Sequence, residues 1–207
     1  MRLEPLTLRG SSVQLEPLTD MHASALFEAA TDRSTFGFTL VPDDLSSMQA
    51  YIAGLLGDAS NDVAVPFAHR RLADGVVVGC TRYLNVTWWP HRDTPVEVEI
   101  GGTWLATDAQ RSSVNSEAKL LLLGHAFDSW HVERVALCTD ARNDRSRRAI
   151  ERLGATFEGT LRNHRPAAGH ASTLGTTRDT AAYSIISPEW PAIRERLSAE
   201  LQRRGNP

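Results

Sequence analysis

Residues 107–119 (TDAQRSSVNSEAK) combine a polar turn with the start of an apolar helix. Within the turn, 110–115, Val114 is the single bulky apolar side chain, so the backbone can approach a ligand closely. The start of a helix presents unpaired N–H groups and a partial positive charge. The segment therefore predicts a cradle for an anion such as a phosphate. An ordinary helix capped by Ser or Asn is the alternative, and the segment alone does not separate the two.

Two carboxylates lie near each other in a second segment, 95–105 (PVEVEIGGTWL). Glu97 and Glu99 occupy alternate positions of a predicted strand, so they share one face while the intervening apolar residues share the other. If they are close together and partly buried, one pKa rises toward the range useful for a general base. Asp140 and Tyr183 are further candidates for carrying a proton. Both glutamates facing solvent, or pairing with arginines, is an equally good interpretation.

The elements that must position these residues follow from periodicity and from helix and turn signals. The stretch 133–139 is expected to run parallel to 95–105, because the helix between them makes a crossover connection. Asp74 and Gly75 predict a hairpin turn, and Gly101 and Gly102 predict a bulge or a close approach of the backbone. Helices are expected over 20–30, 45–56, 114–130, 143–154 and 188–203, and strands over 13–18, 63–72, 75–86, 95–105, 133–139, 156–165 and 179–186.

Three motifs, in this order, resemble the GNAT acyltransferase superfamily over roughly residues 96–191. The turn 110–115 (QRSSVN) is similar to the pyrophosphate-binding motif Q/R-x-x-G-x-G/A, with Ser113 in place of a glycine. Asn143-x-x-Ser146 is followed by AIERLGATFEG, and RDTAAYSII with EWP covers 178–191. More narrowly, the chain resembles the RimJ/RimL-like branch, which acetylates the N-termini of ribosomal proteins.

The resemblance implies an α/β GNAT fold in a single domain, 1–207. Such a fold is a mixed, twisted sheet with helices on both faces and a splayed strand pair that holds an acyl-CoA. Ser146 would stabilise or protonate the departing thiolate, and Glu99 would be the base, with Glu97 and Asp140 as rivals. Asn143 would hold the pantetheine arm, and Arg148, with Arg145 and Arg147, would meet the adenosine phosphates. The pyrophosphate would bind the backbone of Gln110, Arg111, Ser112, Ser113, Val114 and Asn115.

The expected activity is N-acyl transfer, most simply from acetyl-CoA to the α-amino group of a protein, a peptide or a small amine. Direct attack needs a neutral amine near the thioester, a proton acceptor and a donor for the thiolate. Succinyl-CoA is the alternative donor, for which Arg82 and Arg92 are candidate cations. A non-catalytic acyl-CoA-binding domain is the other alternative, favoured by Ser113. The loops 31–42, 88–94 and 166–177 are expected to shape the acceptor site.

Composition bears on the partners, the cellular compartment and the metal content of the protein. The 22 basic and 25 acidic residues give a formal charge of −3, which does not favour nucleic acid as a partner. Cys80 and Cys138 lie in apolar runs and are expected to be buried thiols in a reducing compartment. No signal-like or membrane-spanning stretch is present, so a cytoplasmic location is expected. The seven histidines include no pair at metal-ligand spacing on one predicted helix, so no metal is expected, and His125 is interpreted as a satisfied core residue. Trp88 and Trp89 could line an acceptor pocket, form a homodimer contact or be a simple surface patch, and the sequence does not separate these.

Overall fold

The alternating segments form one mixed sheet with strand order β1-β2-β3-β4-β5-β6-β8-β7. A computed structural model describes residues 3–169 and 175–205. Its strands are β1 (Leu8–Arg9), β2 (Val13–Pro17), β3 (Ala64–Arg71), β4 (Val77–Thr87), β5 (Glu97–Leu105), β6 (Arg134–Asp140), β7 (Thr156–Pro166) and β8 (Thr177–Ile186). Its α-helices are α1 (Ala23–Ala29), α2 (Leu45–Ser60), α3 (Ser113–Gly124), α4 (Asp144–Leu153) and α5 (Trp190–Gly205).

β5 and β6 form the parallel pair that the helix crossover predicts. They are in register from Glu97 opposite Arg134 to Glu99 opposite Ala136. Beyond that point, β5 continues to Leu105 paired with β4 alone, whereas β6 continues to Asp140 paired with β8 alone. The two strands therefore diverge, and the backbone edges that face each other across the gap lack strand partners.

Helices cover both faces of the sheet, as expected. α3, α4 and α5 pack on the face that carries Val98 and Val135, which we call the α3 face. α1 and α2 pack on the opposite face against Ala68, Cys80 and Trp104, over β3 and β4. On this second face, polar side chains of β5 and β6 line an open groove.

Helix α3 is anchored by two buried charged residues of opposite sign. The Glu117 carboxylate accepts five hydrogen bonds from the backbone N–H groups of 11–13 and the hydroxyls of Ser11 and Ser12. Burial alone would raise the pKa of Glu117, but the bonds from Ser12 and Ser11 keep that pKa below its usual value. Lys119 is only 6% exposed and donates to Thr103 Oγ1 at 2.7 Å. Both contacts join segments far apart in the chain.

Some details differ from the sequence-based prediction. The regular helix α3 ends at Gly124 and continues as a π-helical turn, His125–Ser129, rather than running to Trp130. His125 packs on Trp130, but its Nε2 is buried without a hydrogen-bond partner, so the prediction of a satisfied core histidine was wrong in that respect.

The bulge at Gly102 is confirmed, with φ at 57° and a shift of register against β4. The residues 170–174, which include His170 and part of the 166–177 loop, lie outside the described residues.

Candidate active site

The predicted anion cradle is a surface cavity at the N-terminus of α3. Arg111, with φ at 61°, turns the chain, and Ser112 caps the helix by accepting from the Val114 N–H at 3.3 Å. Ser113 is the first residue of the helix, and the side-chain oxygen Oδ1 of Asn115 is buried without a partner. The cavity measures about 320 Å³ and is lined by Ser11, Ser12, Arg71, Leu72, Ala73, Ser112, Ser113 and Val114. A helix start that opens into such a cavity suits a phosphate group.

The side chain of Gln110 is fully engaged within the protein. Its Nε2 donates to Thr35 Oγ1 and to the carbonyl oxygen of Leu105, both at 2.8 Å. Its Oε1 accepts from Arg145 of the α4 segment at 2.5 Å. Gln110 therefore braces the turn against the end of β5 and against α4, which leaves its backbone as the part free to contact a ligand.

Asn143 and Ser146 lie just beyond the end of β6, at the open end of the gap. Asn143 Oδ1 accepts from the Ser146 N–H at 3.1 Å and so caps α4. Neither the Asn143 Nδ2 group nor the Ser146 hydroxyl makes a hydrogen bond with another described residue. Both groups are partly exposed and are free to contact a substrate.

The arginines of α4 have separate environments. Arg147 donates to the Tyr183 hydroxyl at 3.1 Å and to the Ala141 carbonyl at 3.4 Å. These two bonds hold its guanidinium against β8 and the end of β6. Arg148 is exposed and forms no side-chain hydrogen bond or ion pair with the described residues, which leaves it available to an anion. The Tyr183 hydroxyl donates to Glu151 at 3.0 Å, and burial raises its pKa. Tyr183 is thus tied to α4 rather than placed to carry a proton from an amine.

The groove on the face opposite α3 lies directly over the point where β5 and β6 part. Its volume is about 330 Å³. We call it the acceptor groove; its walls are Asn85, Thr87, Glu97, Glu99, Arg134, Ala136, Cys138, Glu158, Gly159, Leu161, Ala182 and Tyr183. This groove and the cavity at the start of α3 share no lining residue.

Glu99 lies at the centre of the acceptor groove, with 4% of its surface exposed. Its two oxygens accept from both terminal nitrogens of Arg165, at 2.8 and 2.6 Å, and Oε2 also accepts from Asn85 at 2.8 Å. Glu97 instead accepts from Arg134 at 2.9 Å. The two carboxylates are each bound by an arginine, which is the alternative that the sequence had left open.

The other candidates from the sequence are also bound. Asp140 is buried and is held by Arg142 at 2.8 Å, which keeps the pKa of its carboxyl below the usual range. Arg82 donates to Tyr51 of α2 at 3.3 Å, and Arg92 binds Glu133 at 2.9 Å, so neither lines the acceptor groove.

The structure adds three residues that sequence reasoning missed. Asn85 and Arg165 fix the Glu99 carboxylate, and Arg178 stands next to Arg165 on β8. The available signal was the alternation of β7 and β8, which puts both arginines on one face once the hairpin register is known. Partial burial raises the pKa of the groove residue Cys138 to about 11. Both cysteines are free thiols; Cys80 is buried, as expected, whereas Cys138 is only partly buried, so the expectation was wrong for Cys138 in that respect.

Among residues 3–169 and 175–205, no group of three His, Cys, Asp or Glu side chains is arranged to hold a metal ion. The helices in the described part of the chain are all too short or too polar to cross a membrane.

Known proteins match both the sequence and the fold. YdaF of Bacillus subtilis (strain 168), named as a ribosomal N-acetyltransferase, is 29% identical over 89 residues, which are 43% of this chain and 45% of YdaF. The match thus spans somewhat less than half of that curated relative. A GCN5-related N-acetyltransferase from Brucella melitensis is 28% identical with a TM-score of 0.82, over 97% of this chain and 87% of that one.

Mycobacterium smegmatis RimJ, solved in complex with CoA-disulfide, shares the fold with a TM-score of 0.74 and 23% identity, over 95% of this chain and 93% of RimJ. The family described as acetyltransferase (GNAT) domain matches residues 12–156. The resemblance noted in the sequence is confirmed, and the chain belongs to the GNAT family of N-acetyltransferases.

Proposed function

We propose that this protein transfers the acetyl group of acetyl-CoA directly to a primary amine, the α-amino group of a protein, a peptide or a small molecule. The observation that carries the proposal is the divergence of β5 and β6 beyond Glu99 and Ala136. α3 follows β5 and α4 follows β6, so both helices begin after the C-terminal ends of the diverging strands, and the acceptor groove is lined by residues at the point of divergence. Its unpaired backbone edges suit the amide groups of a pantetheine arm.

The donor would be bound by groups that the fold leaves free. Within 111–115, the N–H groups other than that of Val114, which Ser112 already accepts, would bind the pyrophosphate, because they lie at a helix start that opens into a cavity. Asn143 would donate from Nδ2 to the pantetheine, since its Oδ1 is already used in capping α4. Arg148 would pair with the adenosine phosphates.

The reaction forms a C–N bond and breaks the C–S bond of the thioester, and the amine gives up one proton. We assign that proton to Glu99. A carboxylate has about four lone-pair directions, and Arg165 and Asn85 use three of them. One direction remains for the amine, and Ser146 would donate its free hydroxyl hydrogen to the departing sulfur.

Ser146→Ala tests the thiolate donor, with Ser198→Ala on α5 as the matched control. Loss of a transition-state hydrogen bond is expected to lower turnover about 100-fold, while the Kd for CoA stays unchanged. Turnover is followed by release of free thiol with a panel of amines. Equal turnover in both variants would remove Ser146 from the mechanism.

Glu99→Gln tests the base, with its rival Glu97→Gln as control. Removing a general base is expected to cost about 10²- to 10⁴-fold in kcat/KM and to abolish the acidic limb of the pH–rate profile. Glu97→Gln should retain that limb. A Glu99→Gln profile identical to that of the unmodified protein contradicts the assignment.

The alternative functions are separated by thermal shift with CoA, acetyl-CoA and succinyl-CoA. A ligand at 100 times its Kd stabilises a folded protein by about 2.7 kcal/mol. The acyl form with the largest shift identifies the donor, and binding without turnover on any amine would favour a sensing domain. If no form shifts the midpoint, Ser113 closes the cradle and the enzymatic proposal fails.

Location and oligomeric state stay predictions. The two free thiols support a reducing compartment such as the cytoplasm. A homodimer is supported by the edge strand β7, whose Phe157 and Leu161 are exposed, and by Trp89, which is 58% exposed. Sedimentation velocity at micromolar concentration would decide the second point.

A further inference from the structure

An arginine that has no bonded carboxylate among the described residues lies beside the acceptor groove. Arg178 of β8 is directly opposite Arg165 of β7, and two residues further along β8 Thr180 is opposite Asp140 of β6. Because side chains alternate along a strand, Arg178 points to the same face as Asp140 and Cys138. Cys138 is a wall of the acceptor groove, so Arg178 lies at its end.

Both carboxylates near Arg178 already have arginine partners. Arg165 holds Glu99 through two hydrogen bonds, and Arg142 holds Asp140 through two more from its side chain. Arg178 itself makes no side-chain hydrogen bond or ion pair with any described residue, and its Nε is buried without a partner. Arg134 holds the other two carboxylates of the groove, Glu97 and Glu158, so the total charge is balanced. Within this cluster, the positive charge of Arg178 is the one that lacks a bonded partner.

This charge cannot be removed by deprotonation. Burial lowers the pKa of Arg178, and Asp140 acts in the opposite direction. A guanidinium nevertheless stays protonated in proteins, so a partly buried and unpaired arginine is costly unless an anion joins it. The planar fork of its donors matches a carboxylate in two-point geometry.

We infer that Arg178 binds a carboxylate of the substrate, next to the place where Glu99 receives the amine. The inference rests on the proposed function, because it describes the same groove. A buried anion at Glu99 and a free cation at Arg178 suit a molecule that carries an amine and a carboxylate. The carboxylate belongs either to the acceptor or to a dicarboxylic acyl group, and the experiment distinguishes these sources.

The acceptor arm uses two product-like probes that differ in one charge, N-acetyl-L-alanine and N-acetyl-L-alaninamide. Each is titrated by calorimetry into the protein saturated with CoA. The carboxylate probe is expected to bind about 10- to 100-fold more tightly than the amide, the usual effect of a hydrogen bond to a charged group. Arg178→Met should abolish this preference, Arg178→Lys should restore part of it, and the exposed control Arg152→Met should leave it intact.

The donor arm compares the Kd values of succinyl-CoA and acetyl-CoA in the same variants. A loss in Arg178→Met that is confined to succinyl-CoA places the carboxylate on the acyl group, and a loss confined to N-acetyl-L-alanine places it on the acceptor. If neither ligand distinguishes Arg178→Met from the unmodified protein, or if no carboxylate preference exists, the inference is overturned. Failure of CoA to bind the unmodified protein would instead refute the proposed function.

Discussion

The most informative perturbation concerns Lys119, the single lysine in the sequence. Its amino group is buried between α3 and the sheet, donates to Thr103, and has no carboxylate partner among the described residues. Burial lowers its pKa from 10.5 to about 7. The folded state therefore disfavours the charged amine, which the unfolded chain accommodates easily.

The magnitude and sign follow from proton linkage. A pKa difference of about 3.5 units, at 1.36 kcal/mol each, amounts to about 5 kcal/mol. Below pH 7 both states carry the proton, so the full cost of burying the charge is present. Between pH 7 and 10.5 the unfolded chain binds more protons than the folded one, and the stability contributed by Lys119 rises with pH. Above pH 10.5 the cost has gone.

Lys119→Met removes this dependence while it keeps most of the side-chain volume. Relative to the unmodified protein, the variant should have its greatest advantage in free energy of unfolding near pH 6, and that advantage should shrink by about 4 kcal/mol by pH 10. Urea unfolding followed by tryptophan fluorescence measures the difference, and Arg152→Met controls for loss of a surface charge.

The pKa of Lys119 can also be measured directly. With ¹³C-labelled lysine, NMR gives a single side-chain resonance, because no second lysine is present. We expect its titration near pH 7. A midpoint near 10, or stability curves for the two proteins that run parallel from pH 6 to pH 10, would refute the reasoning.

Two further predictions concern backbone anchors. Glu117→Gln should lower the free energy of unfolding by about 2–4 kcal/mol in urea titration, because an amide cannot accept all five hydrogen bonds from 11–13. Gly79→Ala should cost more than Gly75→Ala by thermal unfolding, although both have positive φ, since a Cβ at 79 would overlap the backbone carbonyl oxygen of Trp104 and one at 75 meets nothing within 4 Å. Equal losses at the two glycines would contradict the second prediction.

The sequence was sufficient to predict elements that depend on residues close together in the chain. The starts of α3 and α4 depend on neighbouring residues, so the turn 110–115 and the spacing of Asn143 and Ser146 were enough to locate both helix starts, while the binding roles of these residues stay predictions. The parallel β5–β6 pair followed from the handedness and length of a helix crossover. The bulge at Gly102 followed from a glycine pair within a strand.

Contacts between distant segments could not be predicted in this way. Arg165 reaches Glu99 across two intervening strands, β6 and β8, from a part of β7 that follows a shift of register after Leu161. Gln110 matches a phosphate-binding motif, yet its side chain braces Thr35 and Arg145. Alternation along a strand fixes the face of a side chain, but the partner depends on how the whole sheet bends.

The burial of Lys119 also protects the protein from acylation by its own substrate. Acyl thioesters modify accessible lysines spontaneously, and a protein that handles them is continuously exposed to its own reagent. Every other basic side chain counted with Lys119 in this sequence is an arginine, which remains charged and is a poor nucleophile. With its one ε-amine shielded behind α3, the folded molecule offers no lysine for self-acylation.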